Sequence, residues 1–188
     1  MKRMIIPLLA LCLLLPLAAC QENSAQDLRL FCEAWSLQGE DALGIDAFSA
    51  EELLDSGGLR FLSVLPAGLL TLEALPGGRI HTVSFTALPD APPQESMPAV
   101  LRMICSFTAA APEAALARLR ELGVGEGPFP GYRSVTWGDF RLVYAENDAG
   151  RYIQCARLRL LPQENDQPTL RDIPPTAVPA PQEPSSAT

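Results

Sequence analysis

The chain has 188 residues, 14 of them basic and 22 acidic, with one histidine and a formal net charge of −8 at pH 7. Such a balance argues against nucleic acid as the main partner and against general attraction to an anionic lipid surface. The length allows one domain of ordinary size and little more.

Taken in chain order, the first segment is the most legible. Lys2 and Arg3 are followed by an apolar run from Met4 to Leu17, two small residues and Cys20. Basic, apolar and small segments in that order form a secretory signal, and the run is too short to cross a bilayer. Leu17-Ala18-Ala19-Cys20 resembles the lipobox of bacterial lipoproteins. The resemblance implies thioether lipidation and acylation of Cys20, cleavage just before it, and export to the cell envelope with the membrane as a partner. Gln21 stands where an Asp would favour the inner membrane, so the resemblance points to the outer membrane, facing the periplasm. Two or more acyl chains hold a protein on a membrane essentially permanently.

Loss of residues 1–19 removes Lys2, Arg3 and Cys12 and takes the charge to about −10. With Cys20 lipidated, the remaining thiols are Cys32, Cys105 and Cys155. An oxidising compartment permits one disulfide and one leftover thiol, in three pairings. Cys105 with Cys155 is the preferred pair because both fall in segments expected in the core; such a bridge would contribute ~3–4 kcal/mol. Small buried thiols with no bond are the alternative.

Residues 20–26 form a short polar tether. Residues 162–188 form a disordered, Pro-rich tail, since Pro174, Pro175, Pro179, Pro181 and Pro184 forbid regular structure. Between them, residues 27–161 make one globular domain. Leu28, Phe31, Cys32 and Trp35 recur at helical spacing, so Asp27–Leu37 is expected as an amphipathic helix with Asp27 as its cap. Ser49 and Glu52 have the spacing of a capping box opening a brief helix through Leu54, broken by Asp55-Ser56-Gly57-Gly58. Leu59–Leu65, Leu69–Leu75 and Arg79–Leu88 are expected strands, the last half-buried with His81, Val83, Phe85 and Ala87 on one face.

Met97–Thr108 suits a buried strand or helix by period, and Pro98 and its length favour helix. Pro112 starts a further helix that Gly123 stops. Tyr132–Trp137, Phe140–Glu146 and Arg151–Leu160 form a three-strand meander joined by Gly138-Asp139 and Asn147–Gly150. Strands, then helices, then strands predict an α+β domain, a mostly antiparallel sheet with two or three packed helices.

Catalytic and metal constellations are weak. Asp55-Ser56-Gly57-Gly58 is similar to the nucleophile loop of chymotrypsin-like proteases over four residues, but the lone His81 follows the serine, against that family's order, and ordinary turn chemistry explains the segment. His81 has no recognisable nucleophile to activate. Cys32, His81, Cys105 and Cys155 lack metal-ligand spacing, so neither metal nor cofactor is expected. Gly123-Val124-Gly125-Glu126-Gly127 follows a helix instead of opening one, which argues against a phosphate loop. Arg133, Arg141, Arg151, Arg157 and Arg159 crowd the last third and would form a binding face for an acidic protein, lipid phosphate or wall carboxylate if they shared one side.

The expected function is a non-enzymatic, lipid-anchored binding or accessory module of envelope assembly or secretion. An alternative is a protective inhibitor or immunity lipoprotein presenting Pro89–Ser96 or Gly123–Gly131 to a target. A third reading is a hydrolase with an unfamiliar site.

Overall fold

The computed structural model describes residues 27–39, 41–48, 50–89, 91–129, 131–147 and 150–161. The expected signal segment, lipidation at Cys20, tether and tail lie outside the described residues. Helix α1 spans residues 27–36. Strands β1 (Ala50–Leu53), β2 (Leu59–Leu65), β3 (Gly68–Ala74) and β4 (Ile80–Ala87) follow, then helices α2 (Pro93–Thr108) and α3 (Pro112–Glu121). Strands β5 (Arg133–Trp137), β6 (Phe140–Asn147) and β7 (Gly150–Arg157) complete the fold. All pairings are antiparallel in one sheet ordered β1-β2-β3-β4-β7-β6-β5, so the domain is α+β as its sequence order implies.

Two meanders are joined edge to edge. The helical connection after β4 carries the chain across the sheet, and β7 returns to pair with β4. This makes β4 the central strand. Seven of its eight residues are buried, where alternation alone predicted a half-buried strand. The difference arises because β3 and β7 flank it and their side chains shield Thr82 and Ser84 on the second face.

The helices share one face. Leu28, Phe31, Cys32 and Trp35 of α1, with Val100, Met103 and Ile104 of α2, join Phe61, Leu70, Leu72, Val83, Phe85, Leu142, Tyr144 and Ile153 in a single core. Burying a side chain of the size of Leu or Phe stabilises a fold by about 1.5–3 kcal/mol. Asp27, expected as a cap, uses Oδ2 to accept the Ile80 amide at 3.1 Å, tying the start of α1 to the start of β4.

The stop of α3 follows its glycine. Gly123 has φ 72°, its amide donates to the Arg120 carbonyl at 2.9 Å, and the Val124 amide reaches back to the Leu119 carbonyl at 3.1 Å. That pair of bonds is a Schellman closure, which needs a left-handed residue at this position. The ambiguous apolar run is helical, and α2 begins earlier than expected, with Pro93 in its first turn.

Three expectations are corrected. The segment after Ser49 is not a helix: Ala50–Leu53 forms β1, paired with Leu59–Leu62 of β2. A four-residue helix cannot repay its nucleation, whereas adding an edge to an existing ladder completes backbone hydrogen bonds at once. The last strand stops at Arg157, and Leu158–Leu160 turn into a 3-10 helix. Finally, the expected Cys105–Cys155 bridge is not formed: Cys32, Cys105 and Cys155 are free and buried. Each is packed into the core as a small apolar side chain.

Candidate functional site

The ladder registers define the sheet face opposite the helices. Residues directly across from each other share a face, giving three rows. Arg60, Glu73, Thr82, Ala156, Arg141 and Thr136 form the first. Leu62, Thr71, Ser84, Gln154, Val143 and Ser134 form the second, and Val64, Leu69, Thr86, Tyr152 and Ala145 the third. No described helix packs here: Val143, Ala145 and Ala156 are buried yet stand outside the cluster that contains the helices.

The rows grade from charged to apolar. In the first, Arg60 and Glu73 form a forked pair, with Nε and Nη2 at 3.0 and 2.8 Å from Oε1. In the third, Val64 is 80% exposed. Between them stands a strip of hydroxyl and amide side chains on β3, β4 and β7. Such a surface offers hydrogen bonds and some apolar area to a partner.

His81 lies at an irregularity in this sheet. Ala74 pairs with Ile80 and Glu73 with Thr82, so His81 is the extra residue of a bulge. Its Nδ1 is 2.8 Å from Thr82 Oγ1. Burial lowers the imidazole pKa, and the nearby Glu73 carboxylate opposes that shift. A hydroxyl beside an imidazole with a carboxylate nearby has the parts of an activated nucleophile. Here Thr82 is 3% exposed and His81 8%, so a substrate carbonyl has no approach to the hydroxyl. The contact serves as local hydrogen-bond satisfaction at a bulge.

Ser56 is equally occupied by its turn: the Gly58 amide donates to its Oγ at 3.4 Å, and the Gly57 amide to the Leu54 carbonyl at 2.8 Å. Among the described residues, no group of three His, Cys, Asp or Glu side chains is placed to hold a metal ion.

At one end of the sheet, Phe85, Ala87, Ser96, Met97, Tyr144 and Ile153 line a cavity of about 10 Å³. That is room for a single water and no more. Tyr144 Oη donates to Glu146 Oε2 at 2.5 Å, and Arg151 donates to the Ala91 carbonyl. The loop of residues 123–129 is fastened to this end: Phe129 packs on Tyr144 with ring centres 5.5 Å apart, and Arg133 lies 4.3 Å over the Phe129 ring. Of the Gly123–Gly131 loop that the inhibitor alternative would present to a target, Phe129 is packed on the sheet, while Gly125, Glu126 and Pro128 are exposed.

The five arginines do not share one face. Arg133, Arg151 and Arg157 stand in register with Tyr144, Glu146 and Phe140 on the helix-covered side, while Arg141 points to the opposite side with Ala156. Arg157 sits 4.8 Å over Phe107 and 6.0 Å from Phe140. Arg159 pairs with Asp139 at 3.2 Å on the surface. Strand alternation separates Arg141 from the others: on β6 it lies one position from Phe140 and three from Tyr144, whose ladder partners are Arg157 and Arg133, and residues an odd number of positions apart on one strand face opposite ways. The rows on the open face were missed because each residue in a row comes from a different strand; only the Thr82, Ser84 and Thr86 alternation hinted at them.

Comparison with protein-family models, with curated proteins and with solved structures finds no match for this chain.

Proposed function

We propose that this chain is a lipid-anchored accessory module of the cell envelope, held at the outer membrane through Cys20, that binds a protein or envelope component and catalyses no reaction. The observation that carries this reading is the three-row face, a surface drawn from six strands with polar, hydroxyl and apolar residues graded across it. The lipobox-like Leu17-Ala18-Ala19-Cys20 supports the anchor. The burial of Thr82 and His81 weighs against the hydrolase reading.

Two experiments test it. Cys20→Ala should move the protein from the membrane to the soluble fraction, and an unchanged membrane fraction removes the anchor. Photo-crosslinkers at Val64 and Ser134, on the open face, should capture one discrete partner in intact cells, while Arg118 on α3 should not. Adducts only from Arg118, or turnover of a small substrate by the purified protein, would overturn the binding role.

A further inference from the structure

The tie between Asp27 and Ile80 has a consequence for how an anchored domain stands, and the inference rests on the anchored reading above. The 3.1 Å bond holds the first described residue at the start of β4. Ladder registers place that point at one end of the sheet, with residues 54–58, residues 75–79 and the Gly138-Asp139 turn. The described chain also leaves at this end, where the Leu158 amide donates to the Asp139 carbonyl at 2.8 Å. The opposite end carries residues 66–67, residues 88–92, the loop of residues 123–129, and Tyr144, Glu146 and Arg151.

Two lengths decide between the ends. β4 has eight residues and runs from one end to the other, about 25 Å at ~3.3 Å per residue. Seven residue steps separate Cys20 from Asp27. A chain of that length reaches about 25 Å when fully extended and less in every other conformation. Turning the domain over would therefore require the tether to stay fully stretched, which leaves it a single conformation out of all those it could adopt.

We infer that the domain stands with its Asp27 end against the phospholipid headgroups, and that Tyr144, Glu146, Arg151 and the loop of residues 123–129 face away from the membrane. The near end suits headgroups. Leu53 is 73% exposed and Leu158 37%, Arg79 is exposed, and Trp137 is half-buried beside the turn. Tryptophan favours the membrane–water interface, and arginine binds phosphate. Asp55 and Asp139 stand at the same end, so its charge is mixed and the tether, more than attraction, sets the orientation. The apolar third row then lies on the far half of the open face, where a partner arriving from the periplasm meets it first.

The buried thiols allow a clean test on the full lipidated protein. Gly77→Cys labels the near end, where an added side chain meets nothing within 4 Å, and Gln94→Cys labels the exposed start of α2 at the far end. Each is coupled to a small fluorophore and reconstituted into phosphatidylethanolamine–phosphatidylglycerol vesicles containing a headgroup nitroxide quencher. Quenching is expected to be severalfold stronger at position 77 than at 94. Inserting a long Gly-Ser spacer before Asp27 should bring the two values together. Protein that fails to float with the vesicles would overturn the anchor and the orientation with it. Flotation with equal quenching, or stronger quenching at 94, would overturn the orientation alone.

Discussion

Tyr144 and Glu146 lie on the same strand, two residues apart, and the phenol donates to the carboxylate at 2.5 Å. Burial, then the Glu146 bond, pushes the phenol well above its usual pKa, so it stays a donor across the biological range. The Phe129 ring packs on this phenol ring and the Phe129 amide donates to the Glu146 carbonyl at 3.3 Å, which fastens the end of the loop after α3 to the sheet. Tyr144→Phe keeps the ring contact with Phe129 and removes the bond to Glu146. A hydrogen bond to a charged group contributes about 1.5–3 kcal/mol, so urea unfolding should show a loss of about 2 kcal/mol. Limited proteolysis should then cut within residues 123–129 before the rest of the domain. Unchanged stability and no new cut would show that the loop is held by packing alone.

Stability should fall on both sides of neutrality, for opposite reasons. Burial raises Cys32 to about 11 and Cys155 to about 12, from 9.0 for an unperturbed thiol. The fold favours the neutral thiols, so their contribution is complete below pH 9 and is lost as pH rises from 9 through 11 and 12. His81 is shifted the other way, lowered by burial, so its contribution is complete above pH 6.5 and declines as pH falls below that value. The urea midpoint plotted against pH should bend near both limits, and Cys155→Ala should flatten the alkaline bend. Alkylation without denaturant should leave Cys32, Cys105 and Cys155 unmodified, as peptide mass spectrometry would report. Modification of any of the three in the native state would contradict their burial.

Arg157 is held by rings. Its guanidinium lies over Phe107 and near Phe140, which themselves meet edge to face at 5.5 Å, and its Nε is buried without a hydrogen-bond partner among the described residues. A planar cation stacks where a compact ammonium does not. Arg157→Lys keeps the charge and should still cost about 1 kcal/mol, within the range for a partly desolvated cation–π contact. Arg159→Lys, whose side chain is 81% exposed in its pair with Asp139, should change the unfolding midpoint little. Equal effects from the two would remove the stacking argument.

Gly68 opens β3 opposite Ala87, and a Cβ there would overlap the Thr86 carbonyl oxygen and stand 2.7 Å from Phe85 Cζ. Phe85 is 1% exposed in the core, and the Thr86 carbonyl is backbone held in the β3–β4 ladder. Gly68→Ala should therefore destabilise by about 2–3 kcal/mol, as overpacking a core does. Gly77→Ala, in open space, serves as the control in the same thermal unfolding experiment.

Much of the fold was readable from local patterns. Asp27–Leu37, Pro112–Leu122 and the meander from Tyr132 appear close to where their periods place them, because a helix stripe and a strand alternation are written in neighbouring residues. Residues 50–53 were misread for the same reason. Ser49 and Glu52 have cap spacing, but the strand exists only because Arg60 and Phe61 offer an edge to pair with. The arginine cluster likewise looked coherent along the chain and was divided by strand parity and by the covering helices.

The sequence alone determined the elements, the α+β class and the expectation of an anchored, single-domain protein, since propensity, turn chemistry and signal patterns act over a few residues. Tertiary structure decided the rest. The return of β7 to β4 made β4 central and buried it on both faces, and the packing of the helices left one sheet face without a described helix. These features depend on pairings between residues dozens of positions apart, and a local pattern holds no record of which strand its own will meet.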